Sequence, residues 1–516
     1  MFSSLTSLAA HLSGPEALTA THEQAEADVE AGSRELGRLL LQAHLEWRAR
    51  HEEDHLSALD PHEWAALAGG RSRLGKGHHR QLATVLGLVT VTRCALRGAG
   101  MTNLYPADAM LGLPHGRHSL GLRRLAVLEA ARGSYDTALE AIDRSCGGRV
   151  VGKRQVEDLV RAAAVDVAAF YTARTPHPAP AGTLLVISVG GKGIVMRPGH
   201  LREATAKAAA KARHTFRTRL STGEKSCRKR MATLAVVHDA EPAIRRPHDI
   251  IAPPGGRTGH RTVRKGPGAR AKWLTASVRE DAETVIAAAF DQAEARDPEH
   301  HRNWVVLIDG ATHQRELIQA KAARRNATVH VVLDIVHVIE KLWAAARCFH
   351  TATDPATEDW VGAKAARILA GAAPGAAHNI RAEADRCHLT DDQRTAADKA
   401  CRYLENNADF VHYDQALAAG WPIASGAVEG AARHLIADRL DITGSRWTVP
   451  GAEAVLTLRT VISNGDFPDY WIFHARQEHE RLRPLPDQHI YALQPDAGAH
   501  SDRAAPKRLR DRVLRT

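Results

Sequence analysis

Apolar runs separated by charged, helical stretches are the dominant pattern between residues 183 and 337. Four of the runs have the length and continuity of buried strands: Leu184–Val189, Met231–His238, Trp304–Ile308 and Thr328–Leu333. Apolar residues at helical spacing occupy Glu280–Arg296 and Gln314–Arg325. Strands that alternate with helices predict an α/β domain whose sheet is partly parallel.

The chain before this domain has a mainly helical pattern. Residues 1–118 combine helices up to about residue 70 with a hairpin over Gln81–Leu96, which turns near Gly87. The Pro- and Ala-rich stretch Thr175–Gly182 is typical of a domain boundary. We therefore expect an N-terminal region that is separate from the α/β core.

Residues 119–175 are predicted to begin with a helix over Leu120–Arg132, which is followed by two more, Tyr135–Arg144 and Lys153–Ala168, joined by a turn at Gly147 and Gly148. Two helices with a short glycine-containing turn have the outline of a helix-turn-helix, whose second helix reads DNA. Side chains that can reach phosphates or base edges begin the second helix: Lys153, Arg154 and Gln155. Because short helix pairs are also common as plain structural units, both interpretations stay open.

After residue 337 the strand pattern stops. Residues 338–420 have helical spacing throughout and are predicted to form an insertion outside the sheet. Residues 421–480 are predicted to return to the core, and residues 481–516 form a basic tail.

The charge balance favours a polyanionic partner. Lys and Arg exceed Asp and Glu by a formal net charge of +10, and basic residues cluster in 207–230, in 257–272 and in the tail. Each cation that neutralises a phosphate releases counterions, so double-stranded DNA is the expected partner. A single basic run is also typical of a solvated surface. The six cysteines include no C-x-x-C pair, which argues against a zinc ribbon, and no apolar run is long enough to span a membrane.

Two acids follow predicted strands directly. Asp309 ends the Trp304–Ile308 run, Asp334 ends the next one, and His337 comes one helical turn after Asp334. Functional groups of open α/β sheets lie beyond the carboxyl ends of the strands, and paired carboxylates suit two Mg²⁺ or Mn²⁺ ions. An Asp after a strand also commonly caps the following helix, so this alternative stays open for each acid.

A third acid lies in Ser425-Gly426-Ala427-Val428-Glu429-Gly430, where Ser425 is a predicted N-cap. Farther along, Gly444-Ser445-Arg446-Trp447 supplies a guanidinium donor and an aromatic plane for DNA.

Four stretches together resemble the ISKra-type transposases of bacterial insertion sequences, a group within the Mutator-like branch of DDE enzymes. They are LLVISVGGKGIVMRP at 184–198, WVVLIDGATHQ at 304–314, DIVH at 334–337 and GWPIASGAVEGAARHLIADRLDITGSRW at 420–447. The resemblance extends upstream to LYPADAMLGLP at 104–114 and covers most of the chain.

The resemblance implies an RNase H-like core, interrupted by a helical insertion before the last acid. It implies metal-dependent DNA cleavage at the terminal inverted repeats of an element and strand transfer into target DNA, by a homo-oligomer assembled on DNA in the bacterial cytoplasm. In this match Asp309 is the second acid and Glu429 the third, both as metal ligands. Asp334 and His337 match a supporting Asp-x-x-His motif, and Lys192, Arg446 and Trp447 are candidate DNA contacts.

The chain departs from the family at the first acid. The family motif is Ser-x-Asp-Gly-Lys-Gly, whereas this chain has Gly190 at the Asp position, between Ser188 and Lys192. Glycine offers no ligand, so the activity is in doubt. One alternative is a catalytically inactive or co-opted protein that still binds DNA ends. A metal-dependent nuclease acting on RNA–DNA hybrids is another, although it would not need the helical N-terminal region.

Overall fold

The computed structural model describes residues 2–176, 179–211, 228–252, 262–351 and 353–482. It contains two compact units. The first comprises residues up to Glu129, Tyr135–Val156 and the segment from Ala475; the second comprises Ala130–Ser134 and Glu157–His474. Nearly all of the expected basic tail lies outside the described residues, as do the central members of the first internal basic cluster and the first members of the second.

The N-terminal part of the chain combines helices with one β-hairpin. Its elements are α1 (Phe2–Leu12), α2 (His22–Ala58), α3 (Pro61–Ala68), β1 (Arg73–Thr84), β2 (Gly87–Arg97), α4 (Pro106–Met110), α5 (Leu120–Arg132), α6 (Tyr135–Cys146), α7 (Lys153–Ala163) and α8 (Val167–Thr172). Helix α2 begins at a capping box formed by Thr21 and Gln24 and packs on β2. The buried carboxylate of Glu52 accepts hydrogen bonds from the amides of Cys94 and Ala107, which ties the helix to the hairpin.

The second unit contains a mixed sheet of five strands, which confirms the α/β class. The strands are β3 (Leu184–Val195), β4 (Lys229–Ala240), β5 (Arg270–Ser277), β6 (Trp304–Ile308) and β7 (Val329–Leu333). Their order is β5–β4–β3–β6–β7. Strand β4 is antiparallel to β3 and β5, whereas β6 and β7 run parallel to β3.

Strand β5 was not expected from the sequence. It begins in the basic stretch Arg270-Ala271-Lys272, so its first residues carry no apolar alternation, and only Trp273 and Leu274 begin its buried part. Pairing with β4 supplies the backbone hydrogen bonds that stabilise a strand of this composition.

The other helices of the described chain begin after β3. They are α9 (Glu203–Lys211), α10 (Pro247–Ile250), α11 (Ala282–Arg296), α12 (Thr312–Arg324), α13 (Ile335–Ala346), α14 (Ala356–Leu369), α15 (Ala373–Arg386), α16 (Asp391–Asn406), α17 (Tyr413–Ala418), α18 (Gly426–Ala431), α19 (Asp438–Leu440), α20 (Val449–Ser463) and α21 (Phe467–Leu482). Between residues 338 and 420 the described chain is helical and contains no strand. Its apolar side chains, among them Ile368 and Leu404, belong to the same buried cluster as Ile187 and Leu307 of the sheet. The helical stretch therefore shares the core of the sheet.

None of the helices in the described ranges is both long and apolar enough to cross a membrane.

Candidate active site

Three positions singled out in the sequence lie together where β6 and β7 end beside the middle of β3. Ser188 of β3 pairs with Leu307 of β6, so Gly190 and Asp309 each lie two residues beyond a matched pair. Ile308 pairs with Leu333 of β7, so Asp309 and Asp334 each follow a matched pair directly. Neighbouring strands lie about 4.8 Å apart. Asp309 therefore lies between Gly190 on one side and Asp334 on the other.

Asp334 anchors the segment that leads to Glu429. Its carboxylate accepts hydrogen bonds from the Val336 amide at 2.8 Å and from the Ser425 amide at 3.0 Å. The Ser425 hydroxyl donates to the same carboxylate, and the Ile335 amide donates to the Ile423 carbonyl at 2.9 Å. Asp334 is only 1% exposed and both of its oxygens are used. It therefore acts as a helix N-cap and a tether, which is the alternative that the sequence left open.

The hydroxyl of Ser425 has a different partner from the one expected. Ser425 stands at the N-cap position of α18, but its side chain makes no capping hydrogen bond there. It donates to Asp334, which is 91 residues away in sequence.

Removal of the Asp334 carboxylate is expected to lower the free energy of unfolding by about 3 kcal/mol, because three donors would lose a buried charged acceptor. Chemical denaturation of Asp334→Ala measures this loss. Asp309→Ala is the matched control, with an expected loss of about 1 kcal/mol, since Asp309 is half-buried and, among the described residues, its side chain accepts only the Ala311 amide. Equal losses in the two variants would contradict the tether.

The segment that Asp334 anchors, which leads to Glu429, packs on Gly190 at its other end. A Cβ atom built on Gly190 would lie 3.1 Å from Cγ2 of Val428 and 3.7 Å from its Cγ1. Gly190 is not among the glycines with positive φ, so the short distance to Val428 is what resists a side chain at this position. Glu429 follows Val428 directly and is exposed. The segment thus spans from β7 to β3 and brings the helix of Glu429 to the edge where Asp309 lies.

The Asp309 main chain is held by a residue of the helical stretch. The hydroxyl of Tyr403 in α16 donates to the Asp309 carbonyl at 2.8 Å. Gly310 has a φ of +88°, and a Cβ there would lie 2.8 Å from the same hydroxyl, so glycine is required for both reasons. In a similar contact, the hydroxyl of Tyr413 in α17 donates to the Leu333 carbonyl at 2.9 Å.

Both tyrosines stay protonated donors. Burial, together with the charges of Asp309 and Asp334, raises the pKa of Tyr403, and burial raises the pKa of Tyr413 well above its usual value. Sequence reasoning missed both residues. Their contacts span 94 and 80 residues, and nothing in the local pattern of either helix indicates them.

The helix that carries Glu429 contains a π-helical segment, Ala432–Ala437, between α18 and α19. A π-helical turn disturbs the regular hydrogen bonding of an α-helix, and such turns are frequent at functional sites. Here the guanidinium of Arg459 donates to the carbonyls of His434 and Leu435. Arg459 thereby stabilises the irregular turn five residues after Glu429.

Trp447 is part of the core. It is 6% exposed, its indole N–H donates to the Leu440 carbonyl at 2.9 Å, and the guanidinium of Arg439 lies 4.8 Å from its ring centroid. Its backbone pairs with Val195 and Arg197 at the end of β3. The aromatic plane predicted for DNA is therefore covered by protein, whereas the adjacent Arg446 is exposed.

His337 is held away from Asp334. Its Nδ1 lies 3.3 Å from the Glu340 carboxylate within α13, whereas the Asp334 carboxylate is taken by Val336 and Ser425. The two side chains of the Asp-x-x-His motif thus have separate partners.

The predicted DNA-reading side chains at the start of α7 differ in whether they already have partners within the protein. Lys153 forms an ion pair with Asp136 of α6 at 2.7 Å, and the Gln155 amide oxygen accepts from the Gly152 amide. Arg154 is exposed. Of the two cations, Arg154 is the one whose charge is not already balanced within the described structure.

The acids at this edge do not complete a metal site. No group of three His, Cys, Asp or Glu side chains in the described ranges is placed to hold a metal ion. Both Asp334 oxygens already accept hydrogen bonds and Gly190 has no side chain, which leaves Asp309 and Glu429. Two divalent ions need more carboxylate oxygens than these two residues supply.

Comparison of the chain with protein-family models and with curated proteins found no match. The geometry of the strand ends and the charge of the chain are therefore the grounds for a functional proposal.

Proposed function

We propose that this chain is an insertion-sequence transposase of the DDE type, with an RNase H-like core whose first acid is replaced by Gly190. The observation that carries the proposal is the proximity of Gly190, in the middle of β3, to the Glu429 helix and to Asp309 at the end of β6. These three positions are separated by more than 100 residues each, yet each matches a family acid position.

The sheet topology supports the RNase H-like part of the proposal. Three antiparallel neighbours, β3 to β5, are followed by two strands that extend the other side of β3 in parallel. The helical stretch lies between β7 and the segment that carries Glu429, where the family places its insertion. Since one fold serves many functions, the acids at its edge carry more weight than the topology.

In this proposal Asp309 and Glu429 would be the residues that hold Mg²⁺ or Mn²⁺. Such ions would supply Lewis-acid chemistry at a phosphodiester, although the chain as it stands has fewer carboxylate oxygens at this edge than two ions need. Asp334, Tyr403 and Arg459 would position these two carboxylates through the backbone contacts described above. Lys192, Arg154 and Arg446 would contact DNA phosphates.

A second candidate function is DNA-end binding without catalysis. The packing of Val428 on Gly190 favours it, because the place of the missing side chain is already in contact with the Glu429 helix. The incomplete set of metal ligands in the described structure favours it as well. Both candidates require recognition of specific DNA.

Recognition is tested with duplexes taken from the DNA that flanks the gene. We expect the protein to bind one inverted-repeat sequence at least about 10³-fold more tightly than a shuffled duplex of equal length, as specific DNA-binding proteins do. Electrophoretic mobility shift with excess competitor DNA measures the ratio. Equal affinity for flanking and shuffled duplexes would contradict both candidates and favour a nuclease without sequence preference.

A further inference from the structure

A cleft of about 190 Å³ lies within the second unit, away from the candidate active site. It is lined by the end of α8 and the residues after it, by the start of β5, by α11 and by the residues after α20. Asp239, one of its lining residues, pairs with Leu185 near the amino end of β3. Gly190 is five residues farther along β3, which corresponds to about 17 Å. The cleft is therefore a separate site.

The two carboxylates of the cleft already have partners. Asp239 accepts from Arg302 at 2.6 Å and from Arg296 at 3.4 Å. Asp466 forms an ion pair with Arg174 and accepts from the Tyr171 hydroxyl at 3.0 Å.

The side-chain amide of Asn464 is used in the same way. Its oxygen accepts from the Leu274 amide at 2.8 Å, and its nitrogen donates to the Tyr171 hydroxyl and to the Leu274 carbonyl. The polar groups of Asp239, Asp466 and Asn464 therefore already have hydrogen-bond partners within the protein.

Donor groups remain. The Lys272 ammonium is exposed and has no hydrogen bond or ion pair with any residue in the described ranges. The Trp273 indole N–H is buried and has no acceptor among the described residues. The residue as a whole is only 9% exposed. Arg174 and Arg296 each keep guanidinium N–H groups beyond those used by their acids, because a guanidinium has five. A ligand that completes this lining must accept hydrogen bonds and carry negative charge.

The backbone of β5 turns Lys272 out of the regular strand. Two residue steps on β4, from Val237 to Asp239, face three steps on β5, from Trp273 to Arg270, so β5 carries an extra residue here. Ala271 in this bulge has a φ of +46°. Bulges of this kind redirect a side chain relative to the regular pleat.

We propose that this cleft binds a phosphate group, with Lys272 as its main cation and Arg174 and Arg296 as further donors. The aromatic rings of Tyr171 and Trp273, which meet edge to face at 5.6 Å, form its apolar wall. A phosphodiester of the DNA backbone and a free phosphate compound share this chemistry. The site stands on its own residues and does not depend on the DDE assignment.

The test titrates the full-length protein with inorganic phosphate by isothermal calorimetry and, in parallel, with a fluorescent duplex by anisotropy. Lys272→Gln is expected to weaken phosphate binding about tenfold, which corresponds to one lost charged contact. Lys272→Arg should retain most of the affinity, because the charge is kept. Lys399→Gln in α16 is the matched control, since it removes the same charge from another part of the second unit.

The two sources give different results. If DNA is the source, Lys272→Gln weakens duplex binding and lowers the salt slope by about one, and Lys399→Gln does not. If a free phosphate compound is the source, only phosphate binding weakens. If inorganic phosphate does not bind the unaltered protein and both glutamine variants bind duplex equally well, the proposal is overturned.

Discussion

Substitution of Gly190 by Asp, together with Val428→Ala, is expected to raise the rate of metal-dependent strand cleavage by about 10³-fold or more, since positioning and charge stabilisation supply most of the rate in phosphoryl transfer. The double change restores a third carboxylate beside Asp309. Cleavage of end-containing duplex with Mg²⁺ or Mn²⁺ measures the rate.

The second substitution is needed because of the contact between β3 and α18. A Cβ at position 190 lies 3.1 Å from Cγ2 of Val428, which is closer than such atoms ordinarily approach. Val428 is 2% exposed and has little space to move away. Truncation to Ala makes room for the new side chain, so we expect the double variant to be more active than Gly190→Asp alone.

Two controls separate charge from shape. Gly190→Asn with Val428→Ala has the same size as the active variant but lacks the charge, and it should stay as slow as the unaltered protein. Asp309→Ala in the restored background should abolish the gain, because it removes a neighbouring ligand. Calorimetric titration with Mn²⁺ gives a readout that is independent of turnover, with tighter binding expected only for the Asp variant.

Other outcomes are equally informative. Robust cleavage by the unaltered chain that depends on Asp309 but not on position 190 would show that another residue supplies the first ligand. If the Asp variant binds Mn²⁺ tightly yet cleaves no DNA, the non-catalytic candidate is favoured over the enzyme.

The affinity for duplex DNA is expected to fall about 10³-fold between about 50 and about 200 mM salt, as for a protein that contacts six or more phosphates. The cause is the net charge of +10 and the clustering of its Lys and Arg residues. Anisotropy measured over a salt series yields the slope.

Single substitutions identify which residues contribute to the salt dependence of DNA binding. Arg154→Ala and Arg446→Ala should each reduce the slope by about one, because both side chains are exposed. Lys153→Ala is the comparison, with a smaller expected effect, because Asp136 already balances that charge. A flat salt response in the unaltered protein would contradict the DNA-binding proposal as a whole.

The apolar runs were sufficient to predict strands β3, β4, β6 and β7, because continuous buried strands have a strong local pattern. They also placed Asp309 and Asp334 at strand ends, and helical spacing identified the stretch after residue 337. Strand β5 was missed because pairing with β4, and not its own composition, stabilises it.

The sequence by itself thus determined the α/β class, the positive charge and the positions of the acids along the chain. Only the tertiary structure decided which of the candidate positions are free to bind a ligand and which already have partners within the protein. The Asp334 carboxylate accepts hydrogen bonds from Ser425, the Trp447 ring is covered by Arg439, and Val428 lies against Gly190. The physical reason is that each outcome depends on a partner brought close by the packing of distant segments, whereas a local pattern records only the burial and backbone preference of its own residues.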